Sequence, residues 1–305
     1  MKKIFVIVLN FNGCNNTIEC VKTLQNVRSP QGYEIIPLIV DNASVDASVV
    51  TFKSLFKDIT LIENKKNLGY AGGNNTGIEY ALAHDASHIV VLNNDTLLVR
   101  SSIFELFNSL KKYNADVACP KIYFEKGYEY HKERYQKSEL GKVFWFAGAE
   151  MDFANIIGHH RGVDEVDSGQ YDKMTDIDFI TGACFIGTRD VFKKVGMFDE
   201  RYFLYYEDAD LSMRIRNAGF KIVFASDSVV YHKNAGSTGG SGSNLQDYYI
   251  TRNRLLFGMC YASLRTKFAL ARESIRILVS GRKWQKRGVV DYYVHRLGRG
   301  TYPLP

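Results

Sequence analysis

The sequence predicts an α/β fold built on a mostly parallel sheet. Three observations carry that expectation. Apolar, β-branched runs of strand length recur through the first 120 residues of the 305-residue chain. Segments with helical spacing of apolar residues follow them. Polar clusters rich in Asn and Asp ("LNFNG", "VDNASVD", "LNNDT") stand where the runs end. Repeated strand–helix units give parallel strands covered by helices. Open sheets of that kind bind ligands beyond the carboxyl ends of their strands.

Taken in order, Lys3 to Leu9 reads as a buried first strand. The start "MKKIFVIVLNFNG" imitates a secretory signal, but its apolar run spans only Ile4 to Leu9 and no small-residue cleavage site follows. A helix is expected over Asn15 to Val27, a strand over Glu34 to Val40, a helix over Ser44 to Phe56 and a short strand over Thr60 to Ile62. After the glycine-rich "NKKNLGYAGGNNTG", Ile78 to Ala86 reads as helix and Ser87 to Leu92 as strand. Residues 102–113 read as helix and 115–119 as extended chain. The pattern blurs from 121 to 175, which reads as an insertion holding a hairpin or two, with His159–His160 in a solvated loop. "DIDFITGACFIGT" alternates like an antiparallel edge strand. A helix from Glu207 to Asn217, stopped at Gly219, leads into another strand. "STGGSGSN" (237–244) is a loop by composition, and one long basic helical region runs from about 246 to 280.

The composition is that of an ordinary globular protein, 46% hydrophobic and 24% charged. Residues 1–245 are expected to form the main domain and 246–305 a basic helical extension. Five cysteines, an odd number with no CxxC pair, indicate neither a disulfide framework nor a zinc knuckle. A cytoplasmic location is expected. No apolar stretch approaches the roughly 20 residues needed to span a bilayer. The net charge of +6 is uneven: residues 252–299 carry twelve Lys/Arg against two Asp/Glu. Basic character confined to the tail argues against a nucleic-acid partner.

The chemistry-bearing residues each admit a plain structural reading. Asn93, Asn94 and Asp95 make either a polar turn with an Asx-type hydrogen bond or a cation and phosphate site. The glycines of "NLGYAGGNNTG" allow close approach to a phosphate, but also any tight turn. No Walker or GxGxxG pattern is present. Asp41 ends the second strand, either beside a capping turn or as an acceptor for a nucleotide's base or ribose. Glu207, Asp208 and Asp210 complement a helix dipole, or one of them takes a proton. His232 ends a strand, where a lone histidine is usually structural.

Together, "VIVLNFNG", "VDNASVD", "NLGYAGGNNTGI", "LNNDT", "GACFIGTRDVFKKVGMFDERYFLYYEDADLSMRIRNAGF" and "YHKNAGST" resemble family 2 glycosyltransferases of the GT-A fold, in particular bacterial rhamnosyltransferases. The resemblance spans roughly residues 3 to 257. It implies a Rossmann-like nucleotide-binding domain with a mixed sheet. Asp41 matches the aspartate that contacts the nucleobase, and Asn10, Asn67, Gly73, Asn74 and Asn94 fall in the donor-binding motifs. Asp95 matches the last aspartate of the DxD motif, which holds a divalent cation, Mg²⁺ or Mn²⁺, on the donor pyrophosphate. His232 matches a histidine that completes the metal site, and Asp208 the general base of the ED motif. Asn93 stands where a strict DxD motif has its first acid, so the cation is held with one carboxylate fewer. Arg252 and Arg254 either contact the donor phosphates after the 233–246 loop closes or belong to a plain basic helix.

The implied activity is inverting transfer from a nucleotide sugar, dTDP-L-rhamnose or a UDP sugar, to a glycan or lipid-linked acceptor. One carboxylate suffices for a single displacement, whereas a glycosidase needs a second as acid. A sugar-nucleotide pyrophosphorylase would carry a glycine-rich loop with a basic residue after the first strand, and "LNFNGCNNT" has none. A polyanion-binding module would not explain Asp41, Asp95 and Asp208 at element ends. In the tail, Phe268, Ala271, Ile275, Leu278 and Val279 lie near helical spacing among Arg272, Arg276, Arg282, Lys283, Lys286 and Arg287. Two readings stand: a helix packed on the main domain, or a helix on the anionic inner face of the plasma membrane.

Overall fold

The computed structural model describes residues 1–234 and 242–303. Most of the expected loop at 237–244 lies outside the described residues. The order is β1 (Lys2–Asn10), α1 (Cys14–Leu24), β2 (Tyr33–Asp41), α2 (Ser48–Leu55), β3 (Thr60–Glu63), α3 (Gly69–Ala83), β4 (Ala86–Asn93), β5 (Thr96–Leu98), α4 (Ser102–Lys112) and β6 (Val117–Phe124). Then come β7 (Phe144–Phe146), β8 (Ala149–Asp152), β9 (Ile157–His160), β10 (Cys184–Thr188), α5 (Arg189–Val195), α6 (Glu207–Asn217), β11 (Ile222–His232), α7 (Asn244–Tyr261), α8 (Leu264–Ser280) and α9 (Lys283–Tyr293).

The main sheet runs β3-β2-β1-β4-β10-β6-β11-β5, with β7 beside β6. From β3 to β4 the strands are parallel. Ile4 to Val8 and Ile89 to Leu92 are fully or nearly buried, as strands covered on both faces must be. Register brings Asn10 opposite Asp41, and Leu9 opposite Asn93. The polar ends of β1, β2 and β4 therefore meet at one rim of the sheet.

Three expectations need correction. The strand after residue 175 is antiparallel but not an edge: Cys184 to Thr188 lies between β4 and β6. Its apolar residues are buried on both faces, and the alternating residues before it contribute only an isolated bridge, Asp176 to Val223. The region 121–175 holds an expected hairpin, β8 with β9, but its first residues belong to the main sheet, since β6 runs on to Phe124 and β7 pairs with it. The C-terminal region is three helices. Ser263 caps α8 by accepting from the Thr266 N–H, and α9 follows Gly281. These helices bury Leu255, Leu256, Phe257, Leu270 and Val289 in one cluster with Tyr202 and Ala209. The C-terminal helices thus share a core with the segment leading into α6.

Candidate active site

The rim where β1, β2 and β4 end is a polar floor. Asn10 Nδ2 donates to Asp41 Oδ1 (2.8 Å) and Ser44 Oγ (3.0 Å), and the Ser44 N–H donates to Asp41 Oδ2 (2.9 Å). Thr17 Oγ1 donates to Asn10 Oδ1 (2.7 Å), and Asn94 Nδ2 reaches Thr17 Oγ1 (2.9 Å) and Asn10 Oδ1 (3.4 Å). Asn12 closes the loop pair by accepting from the Val45 N–H. Three of the expected donor-site residues, Asn10, Asp41 and Asn94, thus meet. Asn10 and Asp41 are almost fully buried, with every polar atom of Asp41 already engaged once. The buried Asp41 carboxylate retains lone pairs for a further donor.

The glycine-rich stretch is not the open phosphate loop that its composition suggests. It is the first half of α3. At Gly73 a side chain would place Cβ 2.5 Å from Leu9 Cδ1, so this glycine lets the helix lie against β1. Asn67 Oδ1 accepts from the Gly69 N–H (2.8 Å) at the helix start, and Asn42 ties that start to β2. Asn74 is buried and donates to Tyr70 O (3.0 Å), its Oδ1 lacking a partner among the described residues. These residues shape the rim by packing and capping.

At the end of β4 the chain makes a turn and sets Asp95 against a histidine. Within the turn, Thr96 Oγ1 donates to Asn93 O (2.6 Å). The Asp95 carboxylate meets His232 Nε2 at 3.0 Å, joining β4–β5 to the end of β11. Trp145 of β7 stands edge-on to His232, ring centroids 4.4 Å apart, and His160 packs behind it at 4.8 Å. Burial holds the His160 pKa down at about 4, so this imidazole is a neutral packing element and no solvated loop residue. No group of three His, Cys, Asp or Glu gathers for a metal among the described residues. One carboxylate and one imidazole, with His232 Nδ1 left unbonded, fit a hard cation whose remaining ligands arrive with a diphosphate and water.

Across from this pair lies Asp208. It begins α6 after an unusual approach: Phe203, Tyr205 and Tyr206 all have left-handed backbone (φ 66°, 68° and 71°). For residues with a Cβ this costs about 1–2 kcal/mol each, so the surroundings must impose it. The Asp208 carboxylate is half-buried and accepts from the N–H groups of Gly182 (3.2 Å) and Ala209 (2.8 Å). No Lys or Arg pairs with it among the described residues. Desolvation raises its pKa, and raises that of the neighbouring Glu207 well above the ordinary value. The two carboxyls thus share a desolvated first turn, and both hold their protons more tightly than an exposed acid does. Tyr70 donates to Gly182 O beside them. Gly182 precedes Ala183, whose carbonyl accepts from the Asn93 N–H (2.9 Å). One short strand start thus separates the Asp208 side from the Asp95 side.

A family model described as "Glycosyl transferase family 2" matches residues 5–196. The chain belongs to glycosyl transferase family 2. Its relatives include the low-salt glycan biosynthesis hexosyltransferase Agl10 of Haloferax volcanii, 26% identical over 220 residues, covering 72% of this chain and 66% of that one. They also include the N-acetylglucosaminyl-diphospho-decaprenol L-rhamnosyltransferase of Mycobacterium tuberculosis, 27% identical over 212 residues, covering 66% and 67%. Similar folds are GalNAc-T7 with UDP, GalNAc and Mn²⁺ (TM-score 0.60, 15% identity, covering 100% of this chain and 59% of that chain). Another is the mannosyltransferase PcManGT from Pyrobaculum calidifontis with GDP-Man and Mn²⁺ (TM-score 0.53, 15% identity, 99% and 76%). The chain thus spans about two thirds of the curated relatives' length, and its fold is GT-A.

Two expected phosphate ligands of this family 2 chain prove to be elsewhere. Arg252 is fully buried, and its guanidinium donates to the carbonyls of Gly298 (2.7 Å), Tyr202 (2.8 Å) and Arg201 (3.2 Å). Arg254 binds Asn155 O (2.7 Å) and Glu273 (2.9 Å). Both serve the packing of α7, because a buried guanidinium takes the nearest carbonyls that can satisfy it. Half of the 233–246 loop expected to close over them lies outside the described residues. Sequence reasoning missed Thr17, Ser44, Asn42, Tyr70 and Trp145. Thr17 and Ser44 sit in stretches that read as plain helix and Asn42 in the turn before one, and Trp145 lies in the blurred region whose strand went unrecognised.

Proposed function

We propose that the chain is an inverting glycosyltransferase that uses a nucleotide sugar. The observation that carries the reading is the half-buried Asp208, lacking a cation partner among the described residues and tied through Gly182 and Ala183 to the end of β4 that bears Asp95. In this reading the acceptor hydroxyl oxygen attacks the anomeric carbon as its bond to the diphosphate breaks. The proton passes to Asp208, and the nucleoside diphosphate leaves. Asn10, Asp41 and Asn94 hold the nucleotide at the rim, beside the α3 start shaped by Asn67, Gly73 and Asn74. A divalent cation, Mg²⁺ or Mn²⁺, held by Asp95 and His232 would neutralise charge on the leaving diphosphate. Residues 1–245 carry the chemistry and 246–305 are the appended part. Similarity to the mycobacterial rhamnosyltransferase supports dTDP-L-rhamnose as donor, with UDP sugars next, and a lipid-linked glycan as acceptor.

A thermal-shift panel of nucleotide sugars with and without Mn²⁺ tests this. The cognate donor at one hundred times its Kd stabilises by about 2.7 kcal/mol. No shift with any nucleotide sugar overturns the reading.

The acceptor class suggests where the protein works. We place α8 on an anionic membrane surface, at the cytoplasmic face. Leu264, Phe268, Ile275 and Val279 are 65–76% exposed on one side of the helix, opposite buried Thr266, Leu270 and Ser274. Exposed Arg265, Arg272 and Arg276 flank the stripe. Each basic group near such a surface contributes about 1 kcal/mol. No helix among the described residues is long and apolar enough to cross a membrane. The protein should sediment with phosphatidylglycerol vesicles at low salt and come off at high salt. Phe268→Glu with Ile275→Glu should stay in the supernatant. Equal recovery with neutral and anionic vesicles excludes the surface.

A further inference from the structure

We propose that Arg252 and Asn253 are positioning residues that hold the base Asp208 in place by clamping the left-handed run before it. The inference rests on the reading of Asp208 as the base. Asn253 is fully buried, and its Nδ2 lies within hydrogen-bond distance of three carbonyls of that run, Tyr202 (2.8 Å), Leu204 (2.7 Å) and Tyr205 (2.8 Å). An amide has two hydrogens, so at least one is shared between carbonyls. Arg252 Nε donates to Asn253 Oδ1 (2.9 Å), which fixes which way the amide faces. The same guanidinium takes the carbonyls of Arg201 and Tyr202 and lies over the rings of Tyr248 and Tyr249, 5.4 and 5.0 Å away.

The far side of the run is pinned as well. Phe203 O accepts from the Ala71 N–H (3.2 Å), and at Gly69 (φ 73°) a Cβ would stand 2.5 Å from that oxygen. The segment is squeezed between the start of α3 and the middle of α7. Tyr206 is the last left-handed residue, and Glu207 and Asp208 follow as the first turn of α6. A run of strained residues without its carbonyl partners relaxes toward ordinary backbone. Relaxation would swing the first turn of α6 and move the Asp208 carboxylate off the Gly182 N–H. Tyr202 O also accepts from the Leu204 N–H (2.8 Å) and Arg201 O from the Gly298 N–H (2.7 Å), and the clamp adds side-chain donors to these carbonyls outside any regular ladder.

Asn253→Ala is the test, read against Asp208→Asn in parallel. The alanine variant should lose 10- to 100-fold in kcat, the scale of misplacing a catalytic group by about an ångström, with donor Kd unchanged by calorimetry. A second readout separates positioning from mere stability. The groups around Asp208 are Glu207 and Tyr206 on its own segment, Tyr70 on α3 and Cys119 on β6. Loosening the run lets water reach the carboxylate, so the acid limb of the kcat–pH profile moves to lower pH. Asn253→Ser, which keeps one donor, gives an intermediate kcat and carries the test if the alanine variant does not fold. A folded variant with wild-type kcat and an unmoved limb overturns the clamp alone. Full activity in Asp208→Asn overturns the clamp and the base together.

Discussion

Asp208→Asn lowers turnover by roughly 10² to 10⁴, the usual worth of a general base, and leaves donor affinity intact. The amide keeps one oxygen, which can accept from Gly182 or from Ala209 but not from both, and it cannot take a proton. Burial raises the Asp208 pKa above the ordinary carboxylate value. The base works ionised, so activity in the parent falls as pH drops through that raised value. The acid limb therefore lies above the range of an exposed aspartate. The same shift has a sign for stability. A carboxyl that holds its proton more tightly folded than unfolded costs stability as pH rises through the window between the two values. The asparagine variant removes that cost but leaves one of the two N–H groups without its acceptor; the two changes oppose, so it should melt close to the parent at neutral pH. Low activity with an unchanged melting temperature is the expected pair. Retention of more than about a tenth of parental turnover sinks the assignment.

Asp95→Ala gives the second large effect, and it depends on metal. Loss of a group that merely orients a metal ligand typically costs 10–100-fold in metal affinity. Losing the one carboxylate of the Asp95–His232 pair should cost at least about tenfold in donor affinity with Mn²⁺ present. With EDTA, parent and variant should bind the donor alike, because only the cation's bridge is missing. Calorimetry with and without Mn²⁺ measures both. The same donor affinity in EDTA and Mn²⁺ for the parent would reduce Asp95 to a partner of His232, with the turn its whole purpose. With a single carboxylate, the site should also release its cation readily when no diphosphate is bound.

Much of this was legible in the sequence. Strands such as Ile4 to Val8 and Ile89 to Leu92 are buried on both faces, and a continuous apolar run announces that. Their polar ends pointed to the rim, since Asn10, Asp41 and Asn94 lie at strand termini that register brings together. Helix α6 was legible from its acidic first turn and the glycine after it. Composition misled where one residue type serves two purposes. The glycines before Ile78 read as a loop, yet Gly73 is small because a helix lies on Leu9 there. Arg252 and Arg254 read as phosphate ligands because charge says nothing about burial. Only tertiary packing reveals that Arg252 faces carbonyls some 50 residues away in sequence. Trp145 was invisible for a similar reason. Its neighbours His160 and His232 come from strands distant in sequence.

The clamp on the left-handed run also has a consequence in time. A chain emerges from the ribosome from its N-terminus, and β1 to β10 can pair before residue 200 has been made. The run at 201–206 is different. Its carbonyls wait for Arg252 and Asn253, and Arg252 in turn donates to Gly298 O while Tyr249 donates to Arg299 O. Thr301 then closes on Tyr248 and Asp291. The nucleotide rim is thus complete some hundred residues of synthesis before the acceptor side. On the proposed reading, the newborn protein gathers its donor-side asparagines first, its cation pair with His232 next and its base last.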